Sequence, residues 1–585
     1  MKNRHPALLL LWPLGSLALG ACGDGASGPT LPPRLEFSDQ VLELGYGRGA
    51  LVELRNSGGG AVGPVEIQPA SIRDVSGASV PGARVLATPA EIPTLNPGAA
   101  STVSLDVSLQ GTLAPGRYDA TVAARAGTEA VATMTVSFQV PTAEELAAAS
   151  LTIGPVPETL RQGDVLQVAV EVRDADGALL PGAPVTWAVQ PEGAGYVGAN
   201  GQFVGYAAGP VTLTAGVGDA ADTAAFTLTE RGLTGTFTVV GQGRESGRFT
   251  SDLWLWGDHA YTGTWGGREG PGGLLFGNTL FAWNVSDPSG PYKVDSVRVD
   301  ARTVNDVKVR ADGRIAVMTH EGSNDGLNGV TVLDMADPSD PTPLARFSRE
   351  LEPGVHNVWI EGDYAYLVVD GVGGLRVLDL SDPTAPTIAA RYYAGSSFLH
   401  DVYVRDGLAF LSHWNAGLII LDVGHGIAGG SPQRPVEVSR LTDLGGQTHN
   451  AWYWADAGYV FVGEEDFSTP GRLHVVDVRN LREPREVATF RVPDQTPHNL
   501  WLDEGRSVLY LAWYGRGLRA LDVSGELLGE LDRQGREIAG IQYGAGPGTC
   551  DRRSDDTCTW APQVHQGLVW VADMNHGLVA LDPPR

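Results

Sequence analysis

The chain reads as an all-β protein: two β-sandwich modules followed by a seven-bladed β-propeller. Three observations predict this. Glycine supplies 77 of the 585 residues and long apolar segments at helical spacing are hard to find, which favours short strands joined by tight turns. Residues from about 35 to 230 alternate apolar and polar side chains with period two. From residue 235 onward related strings recur at intervals of about forty residues, and an all-β repeat of that length indicates propeller blades.

The bulk numbers fit several globular domains. Hydrophobic content is 43%, ordinary for packed protein, and 585 residues exceed what one core supports. A net charge of −27 excludes nucleic acid as the expected partner, because phosphates call for a basic footprint. An acidic surface keeps an exported protein soluble and concentrates cations.

At the N-terminus Lys2 and Arg4 precede an apolar run from Ala7 to Leu19, interrupted by Pro13. "LGAC" (19–22) then gives way to the polar "GDGASGPTLPPR". Small residues before a cysteine resemble a bacterial lipoprotein signal. That resemblance implies removal of residues 1–21, lipidation of Cys22 and a linker over 22–34, with the membrane as a partner through the lipid. An ordinary secretory signal is the alternative. The expected location is the cell envelope, at the outer membrane or cell surface. Cys550 and Cys558 share the polar loop "TCDRRSDDTCT". In an exported protein such a pair is expected as a disulfide, and no second cysteine pair exists to complete a four-cysteine metal site.

Residues 35–141 carry the first sandwich, in strings such as "STVSLDVSLQG" and "ATMTVSFQV"; "LAPGRYDATV" reads as a turn leading into a strand, as in a late hairpin of immunoglobulin-like modules. Residues 149–231 carry the second, with "LQVAVEVRDADGALLPGAPVTWAV" as strand, turn and strand. Asp174 and Asp176 are turn formers, since the longer ligand series of a calcium loop is missing. This module resembles the bacterial immunoglobulin-like repeats of surface proteins.

Over residues 235–585 six segments end alike: "GVTVLD" (329–334), "GLRVLD" (374–379), "GLIILD" (417–422), "RLHVVD" (472–477), "GLRALD" (517–522) and "GLVALD" (577–582), with "TLFAWN" (279–284) as a degenerate copy. One unit supplies the strand plan: "HNVWIEG" innermost, then "YAYLVVD", "GLRVLDLSD" and "PTIAARYYAG". The last unit stops after its third strand, so "GTFTVVGQG" (235–243) is expected to supply the fourth and remove an exposed edge. These strings resemble the LVIVD repeat over roughly residues 247–585. The resemblance implies a propeller at the cell surface or in the periplasm, in a family whose exported members often pair it with an anchor; it implies no particular reaction.

Aligning the units gives a column at the start of each innermost strand: Ser251, Asn305, His356, His400, His449, His498 and Trp560. Four consecutive histidines invite two readings. Imidazoles with carboxylates are ligands for a divalent transition metal, with His356, His400, His449 and His498 as candidates, helped by His320, His413 or Glu464. Alternatively the column is scaffold, because a side chain repeated in every blade suits a structural role, as in WD40 propellers. Columns at the exit of the second strands vary more, as a recognition surface requires. They contribute Trp265, Glu321, Asp370, Trp414, Glu465, Trp513, Tyr514 and Asp573, with indole and phenol rings suited to stacking on a sugar or anchoring a peptide. The expected function is binding of a ligand or of a protein, peptide or carbohydrate partner at this face. A metal-dependent enzyme using the histidines and an adhesive or structural surface protein are the alternatives. Among catalytic motifs, a nucleophile elbow and a phosphate-binding loop are both missing.

Overall fold

A computed structural model describes residues 32–584 except 45–49, 93, 110–112, 127–129, 143–144, 146–147, 181–182, 199, 271–272, 396–397, 443, 469, 547 and 551–554. The expected signal segment and Cys22 lie outside the described residues. Among these the protein is all-β, with one three-residue 3-10 turn, Leu531–Arg533, as the helical exception. It divides into two compact units, one holding residues up to 150 together with 172–185 and 217–219, the other holding the remainder.

The first unit is built on strands between Leu35 and Val140. Gly116–Ala126 pairs along its whole length with Ala130–Val140, and Ala100–Leu109 bridges Ala50–Asn56 and Ser79–Thr88. Inward-facing residues alternate with outward-facing ones, so Leu54, Val103, Leu105, Val122, Ala124 and Val136 meet in one dry core. Tyr118 stacks on Phe138 and its hydroxyl donates to the Ala114 carbonyl at 2.9 Å.

In the second unit, Phe203, Leu213, Phe226 and Leu228 form a small core of their own. The module they belong to is pinned to the repeats. The buried Arg231 guanidinium donates to Asp522 and Asp164, and Arg536 donates to the Gly163 carbonyl at 2.6 Å.

From Thr238 the chain forms successive antiparallel four-stranded sheets, one of them extended by a short fifth strand. The third is representative: Val355–Glu361, Tyr364–Val369, Gly374–Asp379 and Thr387–Tyr393 pair in chain order. Neighbouring sheets cover both faces, which explains why the second and third strands are apolar runs rather than alternations. The aspartate ending five of the six strings is a turn device. Asp379 accepts the Ser381 amide at 2.9 Å and Asp382 the Thr384 amide at 3.0 Å, as Asp334 and Asp337 do one repeat earlier.

The innermost strands are Phe249–Trp256, Val307–Val309, Val355–Glu361, Asp401–Arg405, Thr448–Trp454, Leu500–Asp503 and Thr559–His565. Each packs against the next, and the last packs against the first, so the sheets form a closed ring around an axis: a β-propeller. Closure uses the early strand Thr238–Gly243, which pairs with Gly577–Asp582, Thr238 opposite Asp582 and Gly243 opposite Leu578. The ends of the repeat region are thereby hydrogen-bonded in one sheet. Cys550 and Cys558 are disulfide-bonded, as expected.

Within the closing sheet Leu581 is fully buried, while its cross-strand partner Val239 is 46% exposed. Leu581→Ala should therefore lower stability by about 2–5 kcal/mol and Val239→Ala by no more than about 0.5 kcal/mol. Denaturant melts of the full chain check this; equal losses would contradict the burial.

Candidate functional site at the mouth of the ring

Each innermost strand begins at one end of the axis, and irregular pairing there, as between Val355 and Val358 or Thr448 and Asn450, marks where it leaves the ladder. The start column forms an arc of rings. Centroids lie 4.6 Å apart for His356 and His400, 4.1 Å for His400 and His449, 4.3 Å for His449 and His498, and 4.0 Å for His498 and Trp560.

Much of the arc is tied to backbone. His400 Nδ1 donates to the His449 carbonyl at 3.1 Å and His498 Nδ1 to the Trp560 carbonyl at 2.7 Å. Asn305, Asn357 and Asn450 donate to the carbonyls of His356, His400 and His498. A carbonyl can only accept, so these contacts place the proton of His400 and His498 on Nδ1 and leave Nε2 with its lone pair. Burial, reinforced by neighbouring imidazoles, pushes His400 and His449 well below the ordinary histidine pKa; burial also lowers His498, to about 4. All three are neutral at pH 7.

His356 behaves differently. Burial opposes its charge, but the Glu321 carboxylate, 2.8 Å from Nδ1, prevails and lifts it to about 9, with Asp370 adding to the effect. Asp370 rises to about 6 through burial and the Glu321 charge, partly offset by His356. One end of the arc is thus an imidazolium with two acids, and the rest is neutral.

The second-strand exits divide cleanly. Trp265, Glu321, Asp370, Trp414, Glu465 and Tyr514 come to the arc. Trp414 stacks on His400 at 5.0 Å, Tyr514 meets His498 edge-on at 5.0 Å and donates from its hydroxyl to Glu465, and Trp265 lies 6.1 Å from Trp560. The residues one position earlier turn away. His320 is buried against Thr331, with burial taking its pKa to about 4, and His413 donates to the Gly373 carbonyl. Glu464 pairs with His474 and Arg472, Trp513 packs edge-on with Phe490, and Asp573 caps Cys558, Asn575 and His576. His320, His413, Glu464, Trp513 and Asp573 are therefore set inside the blades rather than on the mouth. The reason is the strand's period of two: adjacent positions point to opposite faces.

Two features of the axis are not in the expected site. Phe398 packs between His356, His400 and Trp414. Three positions after the histidine column, Trp254, Trp359, Tyr403, Trp452 and Trp501 form a second aromatic layer with centroids 4.5–6.2 Å apart. These rings line a cavity of about 60 Å³ together with Asp252, Lys308, Asp401, Asn450 and Asn499, which has room for a few waters. Lys308 bridges Asp252 and Asp306 there. The signal was present in "SDLW", "HNVW", "HDVY", "HNAW" and "HNLW".

Residues 354–394 match the LVIVD repeat, the unit of the third sheet. No curated protein matches the chain. Among solved structures, the chain is similar to the β-propeller domain of Myceliophteria thermophila Cps50 (Swd1), at 11% identity and a TM-score of 0.42, covering 59% of this chain and 98% of that one. It is also similar to the C-terminal WD40 domain of Sif2, at 12% and 0.40, covering 64% and 90%. The computationally designed Ika8 protein matches at 9% and 0.38, covering 58% and 98%.

Because the folded pKa of His356 lies above its ordinary 6.5, its pairing with Glu321 stabilises fully below pH 6.5 and fades as pH rises through about 9. Glu321→Gln should lower the melting temperature most below pH 6.5 and hardly at all above about 9. A deficit independent of pH would contradict the charge pairing.

Proposed function

We propose that the protein is a cell-envelope binding protein, tethered through lipid on Cys22, with two immunoglobulin-like modules and a seven-bladed propeller whose mouth takes a ligand or protein partner. The tether rests on the "LGAC" string and the polar residues after it. The immunoglobulin-like reading rests on the alternating core and on the Tyr118 hydroxyl reaching back to the Ala114 carbonyl, a corner contact familiar in such sandwiches. The seven-blade reading rests on taking each innermost strand in the closed ring as the start of one blade.

One observation carries the binding role. Trp414 and Tyr514 adopt left-handed backbone conformations, with φ of 30° and 41°, although bulky side chains rarely do. Such geometry costs on the order of 1–3 kcal/mol and persists where the surroundings impose it, often at ligand sites. Here it aims two aromatic rings at the histidine arc from corresponding positions of different sheets. Beside them stand the acids Glu321, Asp370 and Glu465, so the repeated frame presents indole, phenol and carboxylate groups in turn. A flat ring face next to carboxylates suits a sugar or an aromatic or basic peptide side chain.

The full chain is tested on carbohydrate and peptide arrays, followed by titration of the best binder. Trp414→Ala should weaken that binder at least tenfold, about 1.4 kcal/mol, while Trp187→Ala in the second module leaves it unchanged. Equal affinity for wild type and Trp414→Ala would overturn the assignment of binding to this mouth.

A further inference from the structure

His400, His449 and Glu465 bring one ligand atom each to within 4.8 Å of one another. His449 is the informative member. It is 1% exposed, and among the described residues neither ring nitrogen has a hydrogen-bond partner. Buried polar nitrogens are nearly always satisfied, so a pair left open on one ring points to a group that belongs there. Its Nε2 lies 3.6 Å from Glu465 Oε2. That is too long for a hydrogen bond, yet close to the roughly 3.3–3.5 Å that separates two ligands on one tetrahedral ion at about 2.0–2.1 Å.

The neighbours of these groups fit the same reading. The His400 Nδ1 proton is given to the His449 carbonyl, which turns the Nε2 lone pair outward, the arrangement that orients metal-binding imidazoles. Tyr514 donates to Glu465 Oε1, and Oε2 is the oxygen that approaches His449. The second acidic group at the mouth differs: in Glu321, His356 and Asp370 the imidazole nitrogen is already engaged by a carboxylate.

We propose that His400, His449 and Glu465 form a mononuclear site for a divalent transition ion of the zinc, copper or nickel kind. Two imidazoles in a set of three disfavour calcium and magnesium, which take oxygen ligands. Three protein ligands leave a coordination position toward the mouth, beside Trp414. The ion shares the mouth with the proposed ligand, but the inference rests on the three ligand atoms and on no organic ligand.

The test uses the full chain, stripped with chelator and titrated with Co²⁺ alone, read by metal analysis and by the visible d–d spectrum. One equivalent with a spectrum of mixed nitrogen and oxygen ligation is expected. His449→Ala and Glu465→Gln should each weaken uptake by about 100-fold or more, a loss of the size seen when the support of a metal ligand is removed. The exposed His425→Ala should not change it. Should His449→Ala fail to fold, Glu465→Gln decides, since its side chain is 12% exposed and changes by one atom. Absence of stoichiometric uptake, or uptake undiminished in Glu465→Gln, overturns the site. Array binding without metal uptake would overturn this inference alone; uptake without array binding would leave it standing and count against the mouth ligand.

Discussion

The propeller depends on one constraint at its axis. Where innermost strands converge they leave the sheet ladder, and their carbonyls at the mouth need donors from somewhere else. The donors come from the adjacent sheet: Asn305 to His356, Asn357 to His400, His400 to His449, Asn450 to His498, and His498 to Trp560. Each bond links one innermost strand to the next, so the residues that satisfy the backbone also hold the ring together. His400 and His498 are therefore scaffold by Nδ1. In both, Nε2 keeps its lone pair.

In His400 the scaffold bond through Nδ1 leaves Nε2 for the proposed site. The frame repeats because every sheet has the same carbonyl to satisfy. The repetition fails at a few places, and the proposed roles rest on them: His449 lacks the hydrogen bond that His400 and His498 make, His356 is charged by Glu321, and Trp414 and Tyr514 sit in strained backbone. Further along the axis the aromatic layer lines a small polar cavity with Lys308, Asp252 and Asp401.

The ring was legible in the sequence because its physics is periodic. "GLRVLD" and its copies recur since each third strand is buried on both faces, and the unpaired third strand at Asp582 called for the partner found at Thr238–Gly243. The mouth was legible only in part. The start column could be aligned residue by residue, yet His320, His413, Glu464, Trp513 and Asp573 were grouped with neighbours that point the opposite way. A one-residue offset along a strand reverses the side-chain direction, and bulged, irregular strand ends hide that parity from the sequence. The aromatic layer of Trp254, Trp359, Tyr403, Trp452 and Trp501 was overlooked although it repeats as strictly as the histidines, because an aromatic in a strand reads as ordinary core.

The proton positions of the arc test this account most directly. Nitrogen-15 spectra of the histidine side chains, recorded near neutral pH on the full chain, distinguish the two neutral tautomers from imidazolium. The account predicts that His400 and His498 carry their proton on Nδ1 with Nε2 bare. Protonation of His400 and His498 on Nε2, or a positive charge on both, would break the link between the scaffold bond and the outward lone pair and contradict it.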